Sequence, residues 1–480
     1  MSVALARPGN TRRIEIGPLL AAAGVLAALL IGLASGVPTF EQRILGAAVC
    51  GAVAILAAVA WPFRAVQMLF FSVICLIVWV VIGARSVNFL DLLLIPTFLV
   101  SVLGAGRRRA LVEDAGLVGP AHAQIRDATR RLSRSVRIFY GLAALSLVAL
   151  AVRGHPRWAL DSSLLLFRGL QGLSLFALGL WWMRTDDDVR GGMRAVEAGA
   201  WALLGLNTFY FLFAHIHRAG MTWIVNLPEW PMSSPNEAAA SLVVIQAVIQ
   251  SVPSQRRRLS QWILNAGILV LLVMTQSRSG LVAWTVYNLL SLRWRRWSSY
   301  IWILIVVAIG LPFVPAAYWQ RIFRTLSLTG GSFDAYSSLM RFYSWQLAVR
   351  IFLDHPIFGA GYVGLRFITP QYNPFHIVLA TAESFYLEIA ADMGLIGLAA
   401  LAPALVAFFR LGAAVKKVVP PGSLGYELAR RHRPLVLAML AANVTGDNFI
   451  GMVGLGQMAI WCALLIRAGH LSVARAESPA

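Results

Sequence analysis

The chain is short of charge. Asp, Glu, Lys and Arg together make up 13% of its 480 residues, about half of what soluble domains carry. Acidic groups are the scarcest, 21 against 41 Lys and Arg. Lysine is nearly missing: Lys416 and Lys417 are the only two, so the basic character is arginine. Only three cysteines are present, Cys50, Cys75 and Cys462, each inside an apolar run. That placement excludes a disulfide or metal framework and reads as small core residues. There is no polar stretch long enough for a separate soluble domain. An internal repeat is also missing, as is a matched pair of interrupted helices in two halves, which weighs against a secondary transporter.

What is present is hydrocarbon. Hydrophobic residues make up 59% and mean hydropathy is +0.71. A membrane helix needs about 20 apolar residues, and such runs follow one another along the chain. The runs place spans at about 17–36, 43–61, 65–84, 87–103, 138–152, 164–182, 194–214, 236–252, 260–276, 280–292, 299–316, 384–409, 434–450 and 453–467. The run at 17–36 follows Arg7, Arg12 and Arg13 and exceeds a signal-peptide core, so it reads as a retained first helix, with cleavage near Ala34–Gly36 as the alternative. The expected fold is all-α: one membrane domain over 1–480, a polytopic bundle of about fourteen helices.

The net charge of +20 would suit a nucleic-acid partner if it lay on one face. Instead the arginines cluster in short loops between apolar runs. Placing both termini in the cytoplasm puts the basic loops Arg107–Arg109 through Arg137, Arg184–Arg194, Arg256–Arg258, Arg293–Arg296 and Arg410–Arg433 inside, as positive-inside topology requires. Half of the arginines left outside are Arg278, Arg321, Arg324, Arg341, Arg350 and Arg366. The outer loops are short except one, 317–383. Arginine suits forked binding of phosphate, so a basic outer face around a large loop suits an anionic substrate at the outer leaflet. Loose anchoring of helix ends at headgroups would leave the same pattern.

Several stretches carry polar chemistry at outer helix ends. Ser233-Ser-Pro-Asn-Glu237 opens a span; Ser234 or Asn236 either caps that helix or presents a polar group to a sugar or phosphate. Thr275-Gln-Ser-Arg-Ser-Gly280 sets Arg278 at the membrane boundary, where it must snorkel, pair or bind an anion. Residues 337–353 read as a helix with a Met340, Tyr343, Leu347, Ile351 stripe, on which Arg341 and Trp345 stand four apart. The helix ends at Asp354-His-Pro-Ile-Phe-Gly-Ala-Gly361, a turn. Pro370-Gln-Tyr-Asn-Pro-Phe-His376 brings one loop histidine. Glu383 stands at the mouth of the following span, with Glu388 and Asp392 deeper on one face, where arginine partners are expected. Asp447, in Thr445-Gly-Asp-Asn448, is another candidate partner for arginine.

In this order, Ser234-Pro-Asn236, Gln276-Ser-Arg-Ser-Gly280, Arg341 with Trp345, His355-Pro-Ile-Phe-Gly-Ala-Gly361 and Ser384-Phe-Tyr-Leu-Glu-Ile through Met393-Gly-Leu-Ile-Gly397 resemble the O-antigen ligase and Wzy-type polymerase family of bacterial polysaccharide assembly, over roughly 230–450. The resemblance implies a GT-C-like membrane glycosyltransferase of the inner membrane, acting at the periplasmic face. Its implied partners are an undecaprenyl-diphosphate-linked glycan donor, a glycan or lipid acceptor and a chain-length regulator, with no nucleotide sugar and no required metal. Family ligases usually carry a His-Asn pair just before the Ser-Tyr-Leu-Glu-like stretch. Ala382-Glu383 stands there instead, which leans the reading toward a polymerase. The diphosphate would meet Arg278 and Arg341, with Arg218 and Arg366 behind them. Glu383, or else His376, would accept the proton. Asn236, Trp345 and Asp447 complete the expected substrate-binding set. A lipid-linked oligosaccharide flippase is the rival, disfavoured by the one-sided loop and the scarcity of mid-span charge.

Overall fold

The computed structural model describes residues 55–56, 58–75, 78–82, 85–103, 117–152, 155–213, 235–252, 258–275, 277–291, 333–373, 381–446, 449 and 452–477. The expected spans at 17–36 and 299–316, and most of 43–61, lie outside them. The described chain is helical apart from one hairpin. Its helices are α1 (Pro62–Cys75), α2 (Phe89–Leu103), α3 (Pro120–Val152), α4 (Pro156–Trp182), α5 (Asp186–Phe213), α6 (Pro235–Ser251) and α7 (Arg258–Met274). They continue with α8 (Arg278–Ser291), α9 (Phe333–Asp354), α10 (Leu365–Tyr372), α11 (Phe385–Val418), α12 (Leu424–Ala442) and α13 (Met452–Glu477). Strands β1 (Val78–Ile82) and β2 (Arg85–Asn88) pair antiparallel, with Val80 opposite Val87.

Among the described residues, four helices are long and apolar enough to cross a bilayer: Pro120–Val152, Pro156–Trp182, Phe385–Val418 and Gly454–Glu477. Pro62–Ile74, Leu93–Leu103 and Leu259–Met274 are shorter apolar helices. An integral membrane protein follows. Two expected spans need correction. The run 65–84 is not one helix: α1 ends at Cys75, and Val78–Ile82 is a strand. The run 434–450 is displaced, because α12 ends at Ala442 and a turn follows. Helix α3 also extends well beyond the expected 138–152, starting at Pro120.

Helix α13 is the axis of the bundle. Its apolar window is 83% buried, against 22–39% for the other three long helices. In lipid there is little hydrophobic drive between helices, so close packing through small residues must hold them together. A Cβ added at Gly179 of α4 would meet the Ala463 Cβ at 2.6 Å, and one at Gly456 would meet Leu175 at 3.1 Å. Polar ties add to this. The Trp461 indole N–H donates to His432 Nδ1 (2.9 Å), and His432 Nε2 lies 2.7 Å from the Phe408 carbonyl. With Nδ1 accepting, the proton sits on Nε2 and is donated to that carbonyl. One neutral imidazole thereby joins α11, α12 and α13 with both nitrogens satisfied.

Candidate functional site

Of the residues singled out in the sequence, Asn236, Arg278, Arg341 and Glu383 stand at one end of the bundle. Helices α6 and α8 start there side by side. Asn236 Oδ1 accepts from Ser277 Oγ (2.8 Å) and Ser279 Oγ (3.0 Å). Ser277 Oγ in turn accepts the Gly280 amide (3.1 Å). A Cβ at Gly280 would lie 2.0 Å from the Ala239 Cβ, so glycine is what lets the helices approach to hydrogen-bonding range. The first two motifs therefore form one unit. Asn236 spends its carbonyl oxygen within the protein, and Arg278 stands between the two serines.

The next two motifs also meet. Helix α11 is broken at Gly394 (φ 62°, ψ −156°), and the segment 355–364 fills the break. Amides of Leu395 and Ile396 donate to the carbonyls of Pro356 (2.8 Å) and Ile357 (3.2 Å), and those of Ala360 and Gly361 donate to Ala391 (2.9 Å) and Asp392 (2.7 Å). Gly359, at φ +65°, could carry no side chain: a Cβ would lie 2.3 Å from the Asp392 carbonyl. The buried Asp392 carboxylate accepts the amides of Val363 and Leu365, both at 2.8 Å. This corrects the expected arginine partner. Val363 holds φ 58°, a conformation unfavourable for a β-branched residue, and the carboxylate secures it. Glu388 accepts the Ala382 amide at 3.3 Å.

At the mouth of α11, Arg341 Nε donates to Glu383 Oε2 at 2.5 Å, with the arginine side chain 20% and the carboxylate 44% exposed. Glu383 holds φ 50°, so its carboxylate is presented by a left-handed turn immediately before the helix. The expected support of Arg341 by Trp345 takes a different form: the indole ring packs edge-on to Phe342, centroids 5.5 Å apart. The stripe on α9 is as expected, with Leu347 and Ile351 buried. Tyr343 donates to Asn373 Oδ1 (3.0 Å), and the Arg350 guanidinium lies 5.6 Å from the Tyr372 ring centroid. Burial and the Asp354 carboxylate raise the Tyr372 hydroxyl above its ordinary range. Together these contacts clip α9 to α10. Arg366, on α10, is exposed. His376, Arg218 and Asp447 lie outside the described residues.

Backbone bonds tie these groups to one another. The Phe385 amide donates to the carbonyls of Asn443 (3.1 Å) and Gly446 (2.9 Å), and Tyr386 Oη donates to the Leu440 carbonyl (3.0 Å). Helix α11 therefore starts where α12 ends. Helix α12 packs antiparallel to α8: Arg431, early in α12, donates to the Gln250 carbonyl, while Tyr287, late in α8, donates to the Gln250 side chain. The starts of α6, α8 and α11 thus lie at the same end, with their positive dipole ends beside Arg278 and Arg341. The Asn236–serine lock and the Asp392 cradle were not legible in the sequence, whose only hint was the spacing of small residues in Ser277–Gly280 and Gly359–Gly364.

A polytopic helical membrane protein with arginines and one carboxylate collected at a single end is the class that this fold and site define. Residues 263–402 match the family model described as O-antigen ligase. That stretch is similar to the family, and it spans Arg278, Arg341, Glu383 and the Gly394 break. No curated protein matches the chain.

Proposed function

We propose that the chain is a membrane glycosyltransferase that extends a polysaccharide from a lipid-diphosphate-linked donor at the periplasmic face of the inner membrane, with polymerisation favoured over ligation. The carrying observation is the Arg341–Glu383 pair. It stands at the mouth of α11, inside the family-matched region, where family ligases usually carry His-Asn. The Glu383 contact uses only Nε, one of the five N–H donors of a guanidinium. The four terminal donors are suited to diphosphate oxygens.

In this reading an acceptor hydroxyl oxygen attacks the anomeric carbon of the donor sugar. The bond from that carbon to the diphosphate oxygen breaks, and the electron pair leaves with the lipid diphosphate. Arg341 and Arg278, beside the starts of α8 and α11, stabilise the leaving charge. The hydroxyl proton passes to Glu383, or to His376 in its place. Arg218 and Arg366 supply outlying positive charge. Asn236 and Trp345 complete the substrate-binding set, and Asp447 orients an arginine. Helices α9 and α10, from the large loop, lie beside the reacting end.

Arg278→Ala and Arg341→Ala should each abolish the chain-length ladder of a surface polysaccharide while the protein still inserts. Normal ladders from both would refute the assignment. Ligation is the second reading, favoured by the description of the matching family. Loss of the protein separates the two: single lipid-linked repeat units accumulate behind a missing polymerase, and full-length lipid-linked chains behind a missing ligase.

A further inference from the structure

Away from the Glu383 end of the bundle, one face of α3 carries arginine at a depth where lipid is expected. Gln124 Nε2 donates to the Ala414 carbonyl (3.1 Å), and the Tyr362 amide, docked at the α11 break, donates to Ser146 Oγ (3.0 Å). Helix α3 therefore runs antiparallel beside the second part of α11. In that register Arg410, the first charged residue of α11 beyond the Gly394 break, lies opposite about Ala128. Arg130, Arg134 and Arg137 stand further toward the bilayer centre by about 3–14 Å, at 1.5 Å per residue. All three are exposed. A charge at that depth must snorkel, pair or bind an anion. Asp127 is the only acidic residue of α3, and it is held by Arg131 (2.7 Å). Among the described residues no carboxylate pairs with Arg130, Arg134 or Arg137. Arg137 Nε donates to the Ser133 carbonyl (3.2 Å), which draws its side chain back along the helix toward the other two.

The same face then changes character. At helical spacing, the three arginines are followed by Ile138, Gly141, Leu145 and Val148 within one stripe about 100° wide. Ile138, Leu145 and Val148 are 49–63% exposed, and a Cβ added at Gly141 would meet nothing within 4 Å, so the stripe is open to lipid. Ile138 to Val148 measures about 15 Å along the helix, half of a hydrocarbon core of about 30 Å. That is the reach of an acyl chain in one leaflet. A phosphate at the arginines with its acyl chain on the apolar stretch uses both parts of the face. A zwitterionic lipid would bring an ammonium against three arginines, whereas a lipid of net negative charge meets them with phosphate alone.

We propose that this face of α3 binds an acidic phospholipid from the leaflet opposite the candidate site, with the phosphate held by Arg130, Arg134 and Arg137. The proposal is independent of the glycosyl-transfer reading. Each arginine close to an anionic surface contributes about a fivefold gain in affinity. Full-length protein in detergent, titrated with phosphatidylglycerol or phosphatidylcholine of the same acyl chains and read by native mass spectrometry, should bind the first phosphatidylglycerol at least tenfold tighter. Arg130→Gln, Arg134→Gln and Arg137→Gln together should cut that preference to within twofold. Arg410→Gln, Lys416→Gln and Lys417→Gln together remove the same charge from the same end of the bundle and should leave the preference intact. Equal binding of the two lipids by the native protein would overturn the proposal, and so would an equal loss in both triple variants, which would show net charge instead of a site. Phosphatidylglycerol with a photoreactive acyl chain should label the native protein within residues 138–148; labelling confined to other helices would overturn the placement without need of any variant. Inorganic diphosphate in tenfold excess over the lipid should not displace it, and displacement would assign the arginines to a free anion and refute the lipid.

Discussion

Replacing Asp392 tests what holds the large loop to the membrane helices. Its carboxylate is 1% exposed and accepts two amides at 2.8 Å, from Val363 and Leu365. Hydrogen bonds to a charged group contribute about 1.5–3 kcal/mol each. Asp392→Ala removes both and leaves two buried N–H groups unpaired, so docking of 355–364 should weaken by about 3–6 kcal/mol. At about 1.4 kcal/mol per factor of ten, the undocked population should rise roughly a hundredfold to ten-thousandfold. Asp392→Asn keeps one acceptor oxygen and turns its carboxamide NH2, a donor, toward the other N–H, which should cost about half as much. Hydrogen exchange at the Val363 and Leu365 amides reads the opening directly, provided opening and closing outpace exchange. Both variants should exchange faster, alanine more than asparagine, while amides in α13 keep their protection. Unchanged exchange at 363 and 365 in the alanine variant would show that the backbone bonds around Gly394 hold the loop without the carboxylate.

Other outcomes follow from the same geometry. Gly280→Ala drives a Cβ into Ala239 at 2.0 Å and should lower thermal stability by about 1–3 kcal/mol; adding Ala239→Gly should restore it, and a failure to rescue would refute the contact. Trp461→Phe strips His432 Nδ1 of its donor and should cost about 1–3 kcal/mol in a detergent melt; an unchanged melting temperature would contradict the buried tie. A double-mutant cycle on Arg341 and Glu383 should give a stability coupling of no more than about 1 kcal/mol, because both side chains are partly exposed and screened. Activity should fall far more than stability in the single variants, and a loss that tracks melting alone would assign the pair a structural role.

The sequence exposes the helices and their order because lipid imposes a long apolar run on each one. It is less informative where the chain stops obeying that rule. Val78, Val80, Val81 and Ile82 lie in a continuous apolar run, and periodicity alone cannot tell such a run from a helix; their β-branching was the available signal. Asp392 invites an arginine by charge, yet amides 27 and 29 residues away in sequence satisfy it. No spacing rule anticipates that pairing, because it depends on a left-handed Val363 and a helix broken at Gly394. The site motifs were legible as an ordered set. Their pairing was not: Asn236 with the two serines and the 355–364 turn with the α11 break join residues far apart in the chain.

The depth of α13 has a consequence for assembly. Chain synthesis delivers α1 through α12 before the helix around which they pack. Until α13 arrives, the small-residue face of α4 at Gly172 and Gly179 and the unshared nitrogen of His432 have no partner and must wait in lipid or against a temporary helper. The bundle closes from the outside inward. The candidate site, which depends on α11 and α12 being held in place, is set only when the axis slides home.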